Sequence, residues 1–334
     1  MIDIRENIIY TDLEPKEKIG RWKYLLQNLT FERINSQFES YINTCLVYPT
    51  SFERIEACID SLFNVDYKGN KFYPHFKSII TSEFGNKNHP YYLFRVRKIN
   101  KGVYYDLSDL NAVIAETFDF EEIQTLDDIW ERPAAQVINY QRLSKPNNSV
   151  LYTSLMTSTA LLETNIREKQ DLFFLIVYKS KRNIVYNDCC SFVYYNDLTE
   201  TENLKRYIIF QFLRNEFTRV LPDTYNSENQ YCSAESISRK FFISADVDGI
   251  QYPSTRGLGH RNFAFWSSSA RSCLEFVGIR CCSMDKREGH QSLHKVFADC
   301  FWNKESMKFE YVSPFTDMSK RVFGDPILNI FMSK

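Results

Sequence analysis

Three short stretches of this 334-residue chain hold polar side chains at spacings that could support chemistry. The first is the turn at 141–148, in which Arg142 stands ten residues before Tyr152. The turn is rich in proline and asparagine and leads directly into a strand-like run. A guanidinium at a strand entrance can bind a phosphate group through two parallel hydrogen bonds. The residue types alone leave open that Arg142 is an ordinary surface arginine.

The second stretch places one carboxylate among small and apolar neighbours. Glu163 follows Tyr152 by eleven residues, within a pattern typical of a short helix. Thr157 or Ser158 is expected to cap this helix, because a side-chain oxygen there accepts from an unpaired backbone N–H. Glu163 then falls in the second turn. It is either an ordinary solvated helix residue or an acid held in a half-buried site.

The third stretch, 246–259, concentrates glycine in a chain where glycine is scarce. Three of the ten glycines of the chain lie there, together with Ser254 and Arg256. A strand, a Pro-Ser turn and flexible glycines indicate a backbone that approaches a ligand closely. A structural turn would explain the glycines, but it explains the neighbouring serine and arginine less well.

Taken together, these stretches resemble the RES family of bacterial proteins, which is named for arginine, glutamate and serine. The resemblance covers roughly residues 90 to 280 and keeps the order of the family's motifs. The matching motifs are Phe94-Arg95, Gln141-Arg142-Leu143-Ser144, Val150-Leu151-Tyr152, Ala160-Leu161-Leu162-Glu163 and Gly249-Ile250-Gln251-Tyr252-Pro253-Ser254-Thr255-Arg256. The last motif is the most specific of the five.

The turn around Arg142 departs from the family pattern. Gln141, Leu143 and Ser144 replace a glycine, a tryptophan and an asparagine, and Asn147 or Asn148 stands where a glycine is usual. Asparagine tolerates a positive φ, so the turn can survive these changes.

The resemblance implies a fold like that of ADP-ribosyltransferase toxins and cleavage of NAD at the nicotinamide–ribose bond. NAD is then a substrate, no cofactor is needed, and a one-carboxylate site of this kind needs no metal. Water or phosphate would be the acceptor. Family members typically act as growth-inhibiting toxins, so a cognate antitoxin protein is an expected partner.

The resemblance also implies a role for each matched side chain. Glu163 would stabilise positive charge that develops on the ribose as the bond breaks. Arg142, with Arg95 as a second choice, would hold the diphosphate. Tyr152 would offer its ring to the cationic nicotinamide. Ser254 would hydrogen-bond the ribose or the carboxamide. Arg256 is either a further substrate-binding residue or a salt-bridge partner within its loop.

The surrounding pattern predicts an α+β protein with a helical extension at 1–87 and an RES-like NAD-degrading domain at 88–334. Helical faces are indicated by apolar residues at three- and four-residue spacing, as in Ile19, Trp22, Leu25 and Leu26. Strand-like runs occur at 91–96, 148–152 and 173–178, the last of them wholly apolar and typical of a central strand. The stretch 202–221 is predicted to be a helix with its apolar stripe along Leu204, Ile208, Phe212 and Phe217.

Composition excludes several classes of protein. Hydrophobic residues make up 44% and charged residues 25%, which excludes a disordered chain, and the net charge of −1 does not favour nucleic-acid binding. No run approaches the ~20 apolar residues of a membrane span, and the residues from Met1 to Arg5 lack the charged-then-apolar layout of a signal peptide, so a cytoplasmic location is expected. The nine cysteines lack a disulfide pattern and are expected to be reduced and mostly buried.

Two metal arrangements are weakly indicated and not predicted. Cys281, Cys282, His290, His294 and Cys300 lack the knuckle spacing of a zinc site. Asp246 and Asp248 lack the closing glutamate of a calcium loop. His260 lies near the third stretch, where a solvent-exposed loop histidine is expected, although it could assist as an acid or base.

Other functions remain open at this point. The RES-like domain could have lost turnover and bind a partner protein, a reading that the altered turn around Arg142 motivates. An active enzyme could instead transfer ADP-ribose to a macromolecule. A homo-oligomer is compatible with the apolar faces of the N-terminal helices. Retention of Arg142, Tyr152, Glu163 and Ser254 together favours the NAD-degrading enzyme.

Overall fold

A computed structural model describes most of the chain, and its fold is α+β. The described residues are 8–11, 16–47, 51–67, 69–76, 79–81, 91–99, 123–166, 171–219, 227–243, 247–256, 259–288 and 291–324.

The described helices vary from four to nineteen residues in length. They are α1 (Lys16–Asn28), α2 (Phe31–Tyr41), α3 (Phe52–Ser61), α4 (Leu126–Ile129), α5 (Thr157–Glu163), α6 (Glu200–Thr218), α7 (Ser227–Ile237), α8 (Ser267–Cys273) and α9 (Asp317–Phe323). Two π-helices, Ile42–Val47 and Ser238–Phe242, continue α2 and α7. Ala134–Gln136 forms a turn of 3₁₀-helix.

The described strands are as follows: β1 (Ile8–Thr11), β2 (Val65–Tyr67), β3 (Asn70–Phe72), β4 (Ile79–Thr81), β5 (Tyr92–Lys98), β6 (Val150–Ser154), β7 (Leu172–Ser180), β8 (Val185–Asp188), β9 (Phe192–Tyr195), β10 (Gly249–Pro253), β11 (Arg261–Trp266), β12 (Leu274–Glu288), β13 (Gln291–Asn303) and β14 (Lys308–Val312).

The chain divides into two compact units, and each is built from separate stretches of sequence. Unit 1 comprises 1–80, 134–148 and 185–255, and unit 2 comprises 81–133, 149–184 and 256–334. The domain boundary expected at 87/88 falls in 82–90, outside the described residues.

Unit 1 packs the N-terminal helices against α6 and α7. The predicted apolar face of α1 is confirmed, since Ile19, Trp22, Leu25 and Leu26 are all buried. β10 pairs in parallel with β8, and β1 pairs in parallel with β9. A short helix gains most of its stability by burying one apolar face against the rest of the protein. Amphipathic spacing therefore predicted these helices well.

Helix α6 is confirmed, but of the stripe predicted along it only Phe217 is fully buried. Its buried apolar side chains are Ile209, Phe210, Leu213 and Phe217, whereas Leu204 is 46% exposed. The buried face also contains Asn203, Arg206 and Glu216, whose polar groups are bonded inside the unit. Apolar spacing alone could not locate a face that is partly polar.

Unit 2 is built on an antiparallel sheet with the strand order β14-β13-β12-β7-β5-β6-β11. The predicted central strand is confirmed, because β7 is the fourth of these seven strands and most of its side chains are buried. Strands β5 and β6 also confirm the runs predicted at 91–96 and 148–152. Helix α5 packs on one face of this sheet, where Ala160 and Leu161 join Phe94 and Val96 in the core.

Two further expectations concern the apolar character of the helices and the burial of the cysteines. No helix among the described residues is long and apolar enough to cross a membrane. Eight of the nine cysteines are buried and Cys58 is half-buried, which confirms the expectation of mostly buried thiols.

Candidate active site

Glu163 ends helix α5 and is half-buried. Its Oε1 accepts a hydrogen bond of 2.8 Å from Nδ2 of Asn262, near the start of β11. The helix begins differently from the prediction: the residue at the N-cap is Met156, which makes no side-chain cap bond, and both Thr157 and Ser158 already lie within the helix. The side chains of both hydroxyl residues are buried.

Asn262 is held by a second hydrogen bond from the neighbouring strand. Ser154 lies directly opposite Asn262 in the register of β6 and β11, and its hydroxyl donates to Asn262 Oδ1 at 2.6 Å. Both side chains are buried. Because the amide oxygen already accepts from Ser154, the amide nitrogen is the end that faces Glu163. Ser154, Asn262 and Glu163 therefore form one hydrogen-bonded series that orients the carboxylate.

Tyr152 lies on the same face of the sheet as this series. Side chains two residues apart on a strand point to the same side, so Tyr152 shares the face of Ser154. Ser154 also lies opposite Phe94 of β5, which packs in the core with helix α5. The ring of Tyr152 is half-buried, and the residue opposite it in β11 is Ala264. Tyr152 and Glu163 are thus brought to one side of the unit 2 sheet.

His260 adds a titratable group beside helix α5. Its Nδ1 lies 2.6 Å from the hydroxyl oxygen of Thr159, and the side chain is partly buried. Thr159 is four residues before Glu163 and therefore lies on the same side of the helix. The expectation of a solvent-exposed loop histidine is wrong, because this hydrogen bond ties the ring to the helix that carries Glu163.

Arg95 lies on the opposite face of the same sheet. It is adjacent to Phe94 in β5, and neighbouring strand residues point to opposite sides. Its guanidinium donates to the carbonyl oxygens of Ile129 at 3.1 Å and of Trp130. Tyr178 of β7 donates to the same carbonyl of Ile129. The structure therefore does not bring Arg95 together with Glu163.

Arg142 lies in unit 1, in a turn that closes through paired backbone bonds between Gln141 and Ser144. One guanidinium nitrogen donates to the carbonyl of Phe217, and the guanidinium carbon lies 5.7 Å from the centre of the Tyr231 ring. The turn contains Asn147 at φ 61°, as expected for an asparagine in place of glycine. The backbone N–H of Asn147 donates to the carbonyl oxygen of Val137 at 2.8 Å.

Ser254 and Arg256 follow strand β10. Ser254 is buried at the end of unit 1, while Arg256 is exposed and begins the last segment of unit 2. Asp246 and Gly257, which belong to the same glycine-rich stretch, lie outside the described residues. Gly259 has φ 80°, a conformation that glycine adopts without strain.

The arrangement of unit 2 suits a reaction that develops positive charge. Glu163 offers an oriented carboxylate, Tyr152 an aromatic face, and His260 a ring nitrogen close to the same helix. Within the described ranges, no three histidine, cysteine, aspartate or glutamate side chains gather as metal ligands would.

Sequence reasoning did not assign roles to Asn262 and Ser154. Polar side chains in otherwise apolar strands were the signal that could have identified them.

Comparisons with protein-family models, with curated proteins and with solved structures gave no significant match to this chain. The assignment of function therefore depends on the residues and on the geometry described above.

Proposed function

We propose that this chain is a member of the RES family that cleaves NAD between nicotinamide and ribose, with an ADP-ribosyltransferase-like fold. The observation that carries the proposal is the carboxylate of Glu163, held by Asn262 on the sheet face that also carries Tyr152. Cleavage of this bond builds positive charge on the ribose. A pre-oriented carboxylate stabilises that charge without reorganising as the bond breaks.

The remaining roles follow from the resemblance. Tyr152 receives the cationic nicotinamide ring against its own aromatic face. Arg142 binds the diphosphate, Ser254 hydrogen-bonds the ribose or the carboxamide, and Arg256 is a weaker assignment to substrate binding. The preference for Arg142 over Arg95 comes from the resemblance alone, since Arg142 bonds the carbonyl of Phe217 in unit 1 and Arg95 bonds backbone carbonyls on the sheet face opposite Glu163.

The acceptor of ADP-ribose decides between three forms of the activity. Water makes the chain a glycohydrolase, phosphate makes it a phosphorylase, and a macromolecule makes it an ADP-ribosyltransferase. In the cell we propose a cytoplasmic growth-inhibiting toxin or defence effector, restrained by an antitoxin protein. The competing proposal is an inactive module that binds a partner protein. It is favoured by the altered turn at Gln141, Leu143 and Ser144.

The deciding experiment is to incubate the purified full chain with NAD, with and without phosphate, and to measure free nicotinamide. Release in both conditions, with ADP-ribose as the other product, indicates hydrolysis. Release that requires phosphate indicates phosphorolysis. Absence of release in both conditions, by protein whose circular dichroism shows that it is folded, would contradict the enzyme and favour the binding module.

A further inference from the structure

Unit 1 brings together two cysteines from consecutive helical elements. Cys45 lies in the π-helix Ile42–Val47, which packs against α3. Cys58 lies on α3, and the two thiols are hydrogen-bond partners. Cys45 is only 2% exposed, whereas Cys58 is half-buried. The pair therefore consists of one residue that is partly open to solvent and one that is enclosed.

The pattern of α3 explains this difference in exposure. Its buried side chains are Ile55 and Ile59, four residues apart on one face. Cys58 is adjacent to Ile59 and lies at the edge of that face, between the core and solvent. The π-helix that carries Cys45 continues α2 with a wider turn, a type of turn that is frequent at functional sites.

The surroundings of Cys58 favour its thiolate. The contact with Cys45 lowers the pKa of Cys58 to about 7, and partial burial opposes this effect. The Thr44 side chain and the positive charges of Arg54 and Lys240 contribute further lowering. Arg54 is on α3 itself, and Lys240 comes from the second π-helix.

Cys45 behaves in the opposite way. Its contact with Cys58, together with burial, raises the pKa of Cys45 far above its usual range. Glu216 of α6 and Cys232 of α7 lie near it and act in the same direction. Of the two thiols, the half-buried Cys58 is therefore the one that favours the thiolate.

We propose that Cys58 and Cys45 form a hydroperoxide-reactive pair, in which Cys58 is oxidised first and Cys45 then closes a disulfide. This site is separate from the residues assigned to NAD cleavage, so its test does not depend on that activity. The reactive form of a cysteine is its thiolate, and an accessible thiolate beside a second thiol is the usual arrangement of a redox-sensitive pair.

The reaction balances with hydrogen peroxide as the oxidant. The Cys58 thiolate attacks one peroxide oxygen, the O–O bond breaks, and the products are a sulfenic acid and hydroxide, which takes a proton to become water. The Cys45 sulfur then attacks the Cys58 sulfur. An S–S bond forms, the S–O bond breaks, and the departing oxygen leaves as water with the Cys45 proton. Two thiols lose two electrons, and one peroxide is reduced to two waters.

The first test treats the folded full chain with one equivalent of hydrogen peroxide, blocks remaining thiols with iodoacetamide, and maps the peptides by mass spectrometry. The expected product is a disulfide between the peptides of Cys45 and Cys58. Cys45→Ser should instead accumulate a sulfenic acid at Cys58 that dimedone traps, because the second thiol is missing. Cys58→Ser should abolish both products.

Cys232→Ser and Cys300→Ser are the matched controls, since both thiols are buried and burial raises the pKa of Cys232 to about 12. Both variants should form the Cys45–Cys58 disulfide as the unmodified chain does. A disulfide that uses Cys232 in place of Cys45 would overturn the proposal, and so would oxidation that leaves Cys58 untouched. Circular dichroism of each variant shows whether it is folded.

A second measurement follows alkylation of Cys58 by iodoacetamide against pH. The rate should rise to half its maximum near pH 7, because the thiolate forms there. At pH 7 it should exceed that of an exposed ordinary thiol about three-fold, since the larger thiolate fraction is partly offset by lower nucleophilicity. A midpoint at pH 8.5 or above, close to that of a free thiol, would contradict the assignment.

Discussion

Glu163 is oriented by Asn262, a residue 99 positions later in the chain. If the carboxylate stabilises the charged ribose, Glu163→Gln should lower nicotinamide release by about 10²–10³-fold while the fold is retained, because only the negative charge is removed. Steady-state release of nicotinamide checks this. Glu275→Gln, at an exposed carboxylate on β12 of the same unit, is the control and should retain full activity. Equal activity in the two variants would show that the carboxylate of Glu163 takes no part in the reaction.

The pH dependence of the activity tests whether Asn262 orients the carboxylate of Glu163. Asn262→Asp would place a second carboxylate against Glu163, and two carboxylates in contact resist ionising together. On the acid side of the pH profile, nicotinamide release should therefore begin to fall at a higher pH than in the unmodified chain. The measurement is nicotinamide release between pH 4 and 9. Asn303→Asp makes the same exchange beside Glu310 on an exposed hairpin and should leave the profile unchanged. An unshifted profile in the Asn262 variant would show that this contact does not govern the reaction.

At the scale of elements, Arg206 of α6 connects helix α1 and strand β9 inside unit 1. The guanidinium lies 4.6 Å from the ring of Trp22 and 3.9 Å from that of Tyr195, and it donates to the Val193 carbonyl at 3.0 Å. Arg206→Lys should lower the free energy of unfolding by about 2 kcal/mol, because an ammonium cannot stack between rings as the planar guanidinium does. Urea denaturation measures this loss. The exposed Arg321→Lys on α9 should be neutral.

The elements also show where pattern reasoning works. Strands β5, β6 and β7 and the buried face of α1 follow from local spacing, because each presents its apolar residues at the period of its own geometry. The buried face of α6 does not, since Asn203, Arg206 and Glu216 on that face are paired with residues from elsewhere in unit 1. A buried polar residue is recognisable only when its partner is known.

At the scale of the whole molecule, the proposed activity predicts a cellular effect. Expression of the unmodified chain in a bacterium should deplete NAD and slow growth, because continuous cleavage removes a shared cofactor. Cellular NAD measured after induction checks this, with Glu163→Gln as the matched control at equal protein level. Unchanged NAD in cells that contain the folded chain would contradict the toxin role. A protein that binds the chain and restores growth when the two are co-expressed would be identified as the antitoxin.

Local patterns in the residue order predicted an α+β protein, its central strand, the segments that carry Tyr152 and Glu163, and a turn in which Asn147 or Asn148 could take a positive φ. They did so because helical and strand periods, and turn chemistry, are properties of neighbouring residues. The contact between Asn262 and Glu163, the placement of Arg95 on the other sheet face and the meeting of Cys45 with Cys58 depend on strand register and helix packing. Those relations depend on which elements pack together, and spacing within one segment does not show that.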